Sequence, residues 1–320
     1  MNVYTPPAAY VYLGGPGGLS TTPAVLGGAG TPFTVGGPVA CAGDVNRDGF
    51  ADVVVLNTEA YVFLGSAGGL STTPIALAHP GISSRLYAPE SAAGAGDVNG
   101  DGYADIVVGG DILGGYVYLG SPAGPSQTPD TLNVQSIQLD GDFGRAVASA
   151  GDVNGDGFAD ILVTDPVLNQ PNASVFLFLG GPGGITVATQ PAAMLSSLSG
   201  LSIAGAGDVN GDGFADVIGG TPYIDAALFL GGPGGLSTTP TPLGTPGFVS
   251  GVAGAGDVNG DGFADVLCGS SDEVDAFLGT ARGVSTSVAT LLVGPSMSGF
   301  GEPLASSILR LHHHARTRCL

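Results

Sequence analysis

The sequence predicts an all-β fold: a β-propeller of four-stranded antiparallel blades, six in number, with the last blade shared between the two ends of the chain. Three observations carry this reading. Five segments repeat Gly-Asp-Val-Asn-x-Asp-Gly-(Phe/Tyr)-Ala-Asp followed by an apolar run. Their first aspartates, Asp44, Asp97, Asp152, Asp208 and Asp257, are 53, 55, 56 and 49 residues apart. A second pattern, an aromatic-apolar strand ending in Leu-Gly and a Gly/Pro turn, alternates with the first and occurs six times. Its copies are Tyr10 to Gly14, Tyr61 to Gly65, Tyr116 to Gly120, Phe176 to Gly180, Ala227 to Gly231 and Asp275 to Gly279. No stretch sustains helical periodicity. Four short strands every ~50 residues is the spacing of a propeller blade. The coils of a β-helix, the main competitor, are much shorter.

Each unit reads as four strands. The first is rich in small residues, as in Phe143 to Ser149, and suits an innermost position where strands crowd a central channel. The second follows the Asp-rich loop directly, as in Val53 to Val55 or Ile106 to Val108. Runs this short, β-branched and bounded by Gly are buried strands rather than helices. The third is the aromatic strand. The fourth follows the Gly-Gly turn, as in Ser71 to Leu77.

The repeat places units at about 33–78, 81–134, 141–190, 198–243 and 248–293. A divided unit joins 1–27, which begins at a third strand, with 298–309, where Gly299 to Ser306 aligns with Asp142 to Ser149 as a first strand. Ile308 to Leu311 is the candidate second strand. Residues 310–320 form a tail holding three of the four His, a composition foreign to the rest, and lie outside the propeller expected over 1–309. The chain reads as truncated, and no signal peptide is visible in it.

Composition narrows the function. Gly 58 and Pro 23 are about a quarter of 320 residues, yet 43% is hydrophobic and mean hydropathy is +0.37, so disorder is excluded. Gly, Pro or Asp interrupts every apolar stretch before membrane-spanning length. Twenty-seven acids face seven Arg and no Lys, a net charge of −20. That argues against nucleic acid and anionic membranes, and for bound cations or basic partners. Cys41 and Cys268 read as inert thiols, and with Cys319 they make no disulfide framework. Outside the tail the single His, His79, lies in a Pro/Gly loop, and no nucleophile-base set or phosphate loop stands out, so the chain is expected not to be an enzyme.

The loops carry the chemistry. In the first, oxygen side chains fall at positions one, three, five and nine (Asp44, Asn46, Asp48, Asp52), Gly49 sits at the sharp turn, and Phe50 can offer its carbonyl. Hard Ca²⁺ takes six to eight oxygens, and this spacing wraps them round one point. The other loops repeat the set: Asp97, Asn99, Asp101, Tyr103, Asp105; Asp152, Asn154, Asp156, Phe158, Asp160; Asp208, Asn210, Asp212, Phe214, Asp216; Asp257, Asn259, Asp261, Phe263, Asp265. About five Ca²⁺ ions are expected. Val55 stands where an EF-hand has its Glu, and a β run follows where that motif has a helix.

These residues, with Phe143-Gly144 and Phe178-Leu179-Gly180, resemble the FG-GAP repeat, which builds the Ca²⁺-binding propeller of integrin α-chains and of many bacterial secreted proteins. The resemblance covers roughly residues 1–306. It implies calcium loops on one face and a protein or glycan ligand on the opposite one. Integrin propellers have seven blades, so only the module carries over. The loops after each second strand carry acids, Glu59, Asp111, Asp165, Asp225, Asp272 and Glu273, expected to ring the face opposite the calcium loops, with Tyr87 and Tyr223 nearby. The expectation is a calcium-stabilised binding or adhesion module in an extracellular, cell-surface or periplasmic setting, with no nucleic-acid partner and no membrane insertion. Two other readings stay open: a carbohydrate-active enzyme or its accessory propeller, and a partial gene product without independent function.

Overall fold

The computed structural model describes residues 9–15, 18–26, 37–78, 89–111, 114–132, 143–165, 174–185, 192–195, 198, 202–220, 225–245, 249–270, 273–285 and 287–293. Among them every regular element is a strand. The second segment of the divided unit, the tail with Cys319, His79, Tyr87, Tyr223 and Asp272 lie outside the described residues.

Five four-stranded antiparallel sheets follow one another along the chain. In the first, Val39–Gly43, Asp52–Leu56, Ala60–Phe63 and Ile75–Ala76 pair in sequence order. The second sheet starts at Ser91–Gly96, the third at Val147–Gly151, the fourth at Ser202–Gly207 and the fifth at Gly251–Gly256. Each starting strand lies against the starting strand of the next sheet, so the small-residue strands are indeed the crowded ones. At Gly94, Gly205 and Gly254 an added Cβ would sit within 3 Å of the preceding unit's backbone. At the N-terminus, Ala9–Val11 pairs with Ala24–Leu26 as a two-stranded sheet.

The sheets are glued face to face. Val54, Val62 and Leu77 of the first unit pack with Ile106, Tyr116 and Tyr118 of the second. Phe143, Phe176 and Phe178 then close the second unit against the third. Similar clusters join the third to the fourth and the fourth to the fifth. The aromatic strand of each unit therefore faces the unit before it. On the first unit that role falls to Tyr61 and Phe63, which meet Val11 and Leu26 of the N-terminal pair. Tyr10 and Tyr12 occupy the matching positions of that pair, yet are 57% and 50% exposed.

Two expected strands are shorter than the sequence suggests. The fourth strand of the first unit is only Ile75–Ala76. Ser71 instead turns its amide back to the Leu64 carbonyl, and Pro74 has no N–H to give a ladder. The third unit's first strand begins at Val147 rather than Phe143. Gly144 is left-handed (φ 89°) and packs on Gly109 and Gly110, while its carbonyl accepts the Ser91 hydroxyl at 2.7 Å. The thiol expectation needs correction at Cys41: this half-buried residue is disulfide-bonded, whereas Cys268 is free and buried.

Candidate functional site: the repeated Asp loops

Each first strand ends in a β-bulge, where the register shifts across Cys41/Gly43 and its equivalents. The glycine there has positive φ, 81° at Gly43 and 75° at Gly151, the conformation such a bulge needs. The chain then enters the Asp loop. In the third unit, Asp152 Oδ1 accepts from the amides of Gly155 and Asp156, and its Oδ2 from Gly157. Asn154 Oδ1 also faces the Asp156 amide, and its Nδ2 donates to Asp156 Oδ2 at 2.9 Å. Asp156 Oδ1 accepts from the Phe158 amide. Gly157, at the sharp turn, has φ 91°. The same bonds recur in the second, fourth and fifth loops. The first differs at one residue: Arg47 takes the left-handed conformation (φ 56°) that glycine has in the others.

The structure thus gathers the side-chain oxygens of positions one, three and five of every loop into one turn, half-buried at position one and exposed at position five. Position nine behaves differently. Asp52, Asp105, Asp160, Asp216 and Asp265 are all fully buried. One oxygen of each accepts the amide of the loop's own Val, and the other accepts the amide of the Leu-Gly glycine that ends the third strand, as Asp52 does from Val45 and Gly65. This aspartate pins the loop to the third strand. The glycine of the Leu-Gly motif is the same in every unit because a Cβ added at Gly65 would collide with the Ala51 carbonyl oxygen.

Burial dominates the electrostatics. It pushes the Asp52, Asp160 and Asp216 carboxyls up to about 6 and Asp105 to about 7. The two accepted amides pull the other way, and the carboxylates at positions one and five of the same loop add like-charge repulsion. Among the described residues no three acidic, histidine or cysteine groups form a closed ligand set, because position three is an amide and position nine spends its oxygens on backbone N–H groups. The donor chemistry nevertheless fits a hard cation: positions one, three and five offer side-chain oxygens, the position-nine carboxylate keeps a second lone pair on each oxygen beside the amide it accepts, and the carboxylates repel one another.

Sequence reasoning missed a second set of contacts, those between loops. The backbone carbonyl of Asp44 accepts the amide of Ala104 in the next unit at 3.1 Å, and that of Val45 accepts Ser121 at 3.0 Å. The pattern repeats at three further junctions: Asp97 with Ala159, Asp152 with Ala215, Asp208 with Ala264, each at 2.9 Å. Their neighbours Val98, Val153 and Val209 accept from Gly181, Gly232 and Thr280. Val45, Val98, Val153 and Val209 are completely buried there, while Val258 of the last unit is 54% exposed. The signal was present as the unvaried Val and Ala of the repeat, but neither residue type advertises chemistry.

The acidic turns lie at the far ends of the second strands. Glu59 is exposed, Asp225 and Glu273 are half-buried, and Asp165 is buried at the end of Asp160–Asp165. Asp111 closes the strand Asp105–Asp111. Near this end Arg145 pairs with Glu90 at 3.3 Å.

An FG-GAP-like repeat profile matches residues 97–163, 152–219 and 208–268, each match running from one Asp loop into the second strand of the next unit. Integrin alpha-IIb of Mus musculus is 36% identical over 143 residues, 38% of this chain and 14% of the relative. Integrin alpha-6 of Homo sapiens is 34% identical over 153 residues, 43% of this chain and 13% of the relative. Integrin alpha-5 of Xenopus laevis is 29% identical over 157 residues, 42% of this chain and 15% of the relative. The matches thus span only 13 to 15% of the length of these relatives. The solved structure of BBS1N in complex with ARL6DN, soaked with lead, superposes with a TM-score of 0.48 at 13% identity, over 83% of this chain and 71% of that one. The profile takes in more than half of the 320 residues, and its repeat length is that of the sheets just described, so the chain belongs to the family of FG-GAP-like repeat proteins.

Proposed function

We propose that this chain is a calcium-stabilised β-propeller acting as a binding or adhesion module outside the cytoplasm, for a protein or glycan ligand, without catalysis of its own. The observation that carries the reading is the fivefold repetition of one all-oxygen turn. Asp44, Asn46, Asp48 and the Phe50 carbonyl, with Asp52 behind them, would hold one ion, and the other four loops would do the same. Bound calcium supplies positive charge where fifteen of the 27 acids sit. The integrin alpha relatives support a ligand-binding role. The ring closes, in this reading, as six blades, with 1–27 and 298–309 sharing the last. The exposed Tyr10 and Tyr12, whose counterparts are buried in every other unit, support a missing neighbour on that face. The ligand would meet the face bearing Glu59, Asp111, Asp165, Asp225, Asp272 and Glu273.

The test is a thermal melt with and without chelator. Ions bound only to the folded state stabilise it by about 2.7 kcal/mol per site at 100 times the dissociation constant. A large drop in Tm on chelation, reversed by Ca²⁺ better than by Mg²⁺, is the expected result. An unchanged melt in chelator refutes it.

A further inference from the structure

We propose that neighbouring Asp loops bind cations cooperatively, each coupled to the next through a single peptide plane; this rests on the reading of the loops as cation sites. The plane is the one between positions seven and eight. In the third loop its carbonyl belongs to Phe158, the position that offers a backbone oxygen to the ion. Its N–H belongs to Ala159 and donates 2.9 Å to the carbonyl of Asp97, which is position one of the second loop. A trans peptide is rigid and planar, with C=O and N–H directed oppositely. Fixing the N–H on the second loop therefore fixes the direction of the carbonyl in the third. A cation that orders Asp97 presents its backbone oxygen to Ala159, and so aims the Phe158 oxygen before a third-loop ion arrives.

The arrangement recurs at every described junction. Tyr103–Ala104 is held by Asp44, Phe214–Ala215 by Asp152, and Phe263–Ala264 by Asp208. Two close contacts stiffen it. The alanine methyl sits against the bulge glycine of the previous loop, where a Cβ would come within 2.5 Å at Gly43 and 2.6 Å at Gly96. The position-seven ring lies on the position-four glycine of the previous loop: Phe158 on Gly100, Phe214 on Gly155, Phe263 on Gly211. The alanines are positioning residues, since they touch no ion themselves. Because coupling free energies are reciprocal, each loop strengthens both neighbours.

Tyr103, the one tyrosine among five position-seven aromatics, belongs to the second loop and rests on Arg47 of the first, so it can sensitise Tb³⁺ luminescence in either; Asp48→Asn, which disables the first loop, leaves it a readout of the second alone. Tb³⁺ titrations of the whole chain would be followed through it. In the Asp48→Asn background, Asp101→Asn should abolish the signal. In the same background, Asp156→Asn, in the adjoining third loop, should weaken Tyr103-reported binding at least about fivefold, and Asp261→Asn, three loops away, less than about twofold. Equal effects from near and distant variants overturn the coupling. Should a neighbouring variant not fold at the assay temperature, the wild-type isotherm decides: a Hill slope above one supports coupling and a slope of one overturns it. Calorimetry of the wild type with Ca²⁺ separates the two layers, since absence of binding heat overturns the cation reading and the coupling together.

Discussion

The guanidinium of Arg47 lies over the ring of Tyr103, 6.0 Å from its centroid. In the next three loops the corresponding position is glycine, and the aromatic ring of the following unit rests directly on its backbone. The first loop therefore replaces a ring-on-glycine contact with a cation–π contact, worth about 0.5–1 kcal/mol at an exposed site. It does so at the cost of a left-handed non-glycine residue.

The ring-on-glycine contact can be isolated with two alanine substitutions. Gly155 has φ 74°, and its added Cβ would lie 2.6 Å from Phe214; Gly260 has φ 78° with nothing within 4 Å. Both variants pay the left-handed penalty, about 1–2 kcal/mol. Only Gly155→Ala should add an overpacking cost, about 1–3 kcal/mol. Urea melts should rank Gly155→Ala clearly below Gly260→Ala, and equal midpoints would refute the contact's importance.

Asp160 and Asp156 should separate the structural carboxylate from the exposed one. In chelator, Asp160→Ala strips acceptors from the buried amide of Val153 and the half-buried amide of Gly180, at about 1–3 kcal/mol for a buried group left unsatisfied. Asp156→Ala in chelator should change stability by less than about 0.5 kcal/mol, as surface substitutions usually do. With calcium present both variants should lose stability. The measurement is a pair of denaturant curves for each protein.

Leu26 covers Val55, Tyr61 and Phe63 of the first unit. Leu26→Ala should cost about 2–5 kcal/mol, with faster amide exchange in Ala60–Phe63. Deleting residues 1–27 should expose the same face. If the ring is closed, exchange in the fifth unit will rise as well; protection lost only in the first unit would argue for an open arc.

Burial raises the Cys268 thiol to about 12, with the Asp275 carboxylate across the strand pair adding to it. Thiolate is the reactive form, so Cys268 should resist alkylation in the native protein and react once the fifth sheet opens. Peptide-resolved mass spectrometry after an iodoacetamide pulse would check this. Native labelling within minutes would contradict the burial.

Neutralising Glu59, Asp111, Asp165 and Asp225 together tests the acidic turns. A ligand face should lose affinity and salt dependence for any basic partner found by pull-down, with calcium binding retained. Unchanged binding would reduce the ring to a solvating role. Asp165, being buried, should carry most of any stability loss, which the single Asp165→Asn variant would reveal.

The strand order and loop positions of the five described sheets were readable because each depends on local signals: an Asp-Gly turn, a β-branched run, a Leu-Gly stop. Asp52–Leu56 falls where Val53 to Val55 predicted a strand. The dual hydrogen bonding of position nine was not readable. Asp160 reaches Gly180, twenty residues on, and only the folded third strand brings that amide to it. The carbonyl–amide bonds between units were invisible for a different reason: they use backbone atoms, which every residue has.

Those bonds give the array a direction. Each unit offers carbonyls on one side and amides on the other, so it resembles a tile with a groove and a tongue. Any tile fits any other. Excising residues 97–151 would bring Ala159 to the carbonyl of Asp44 in place of Ala104, with the same glycine waiting for its methyl at Gly43. Duplication or loss of a whole unit therefore leaves the backbone bonds of every remaining joint unchanged, whereas gain or loss of part of one unit destroys two. Such a chain is free to change length during its history, but only in steps of about fifty residues.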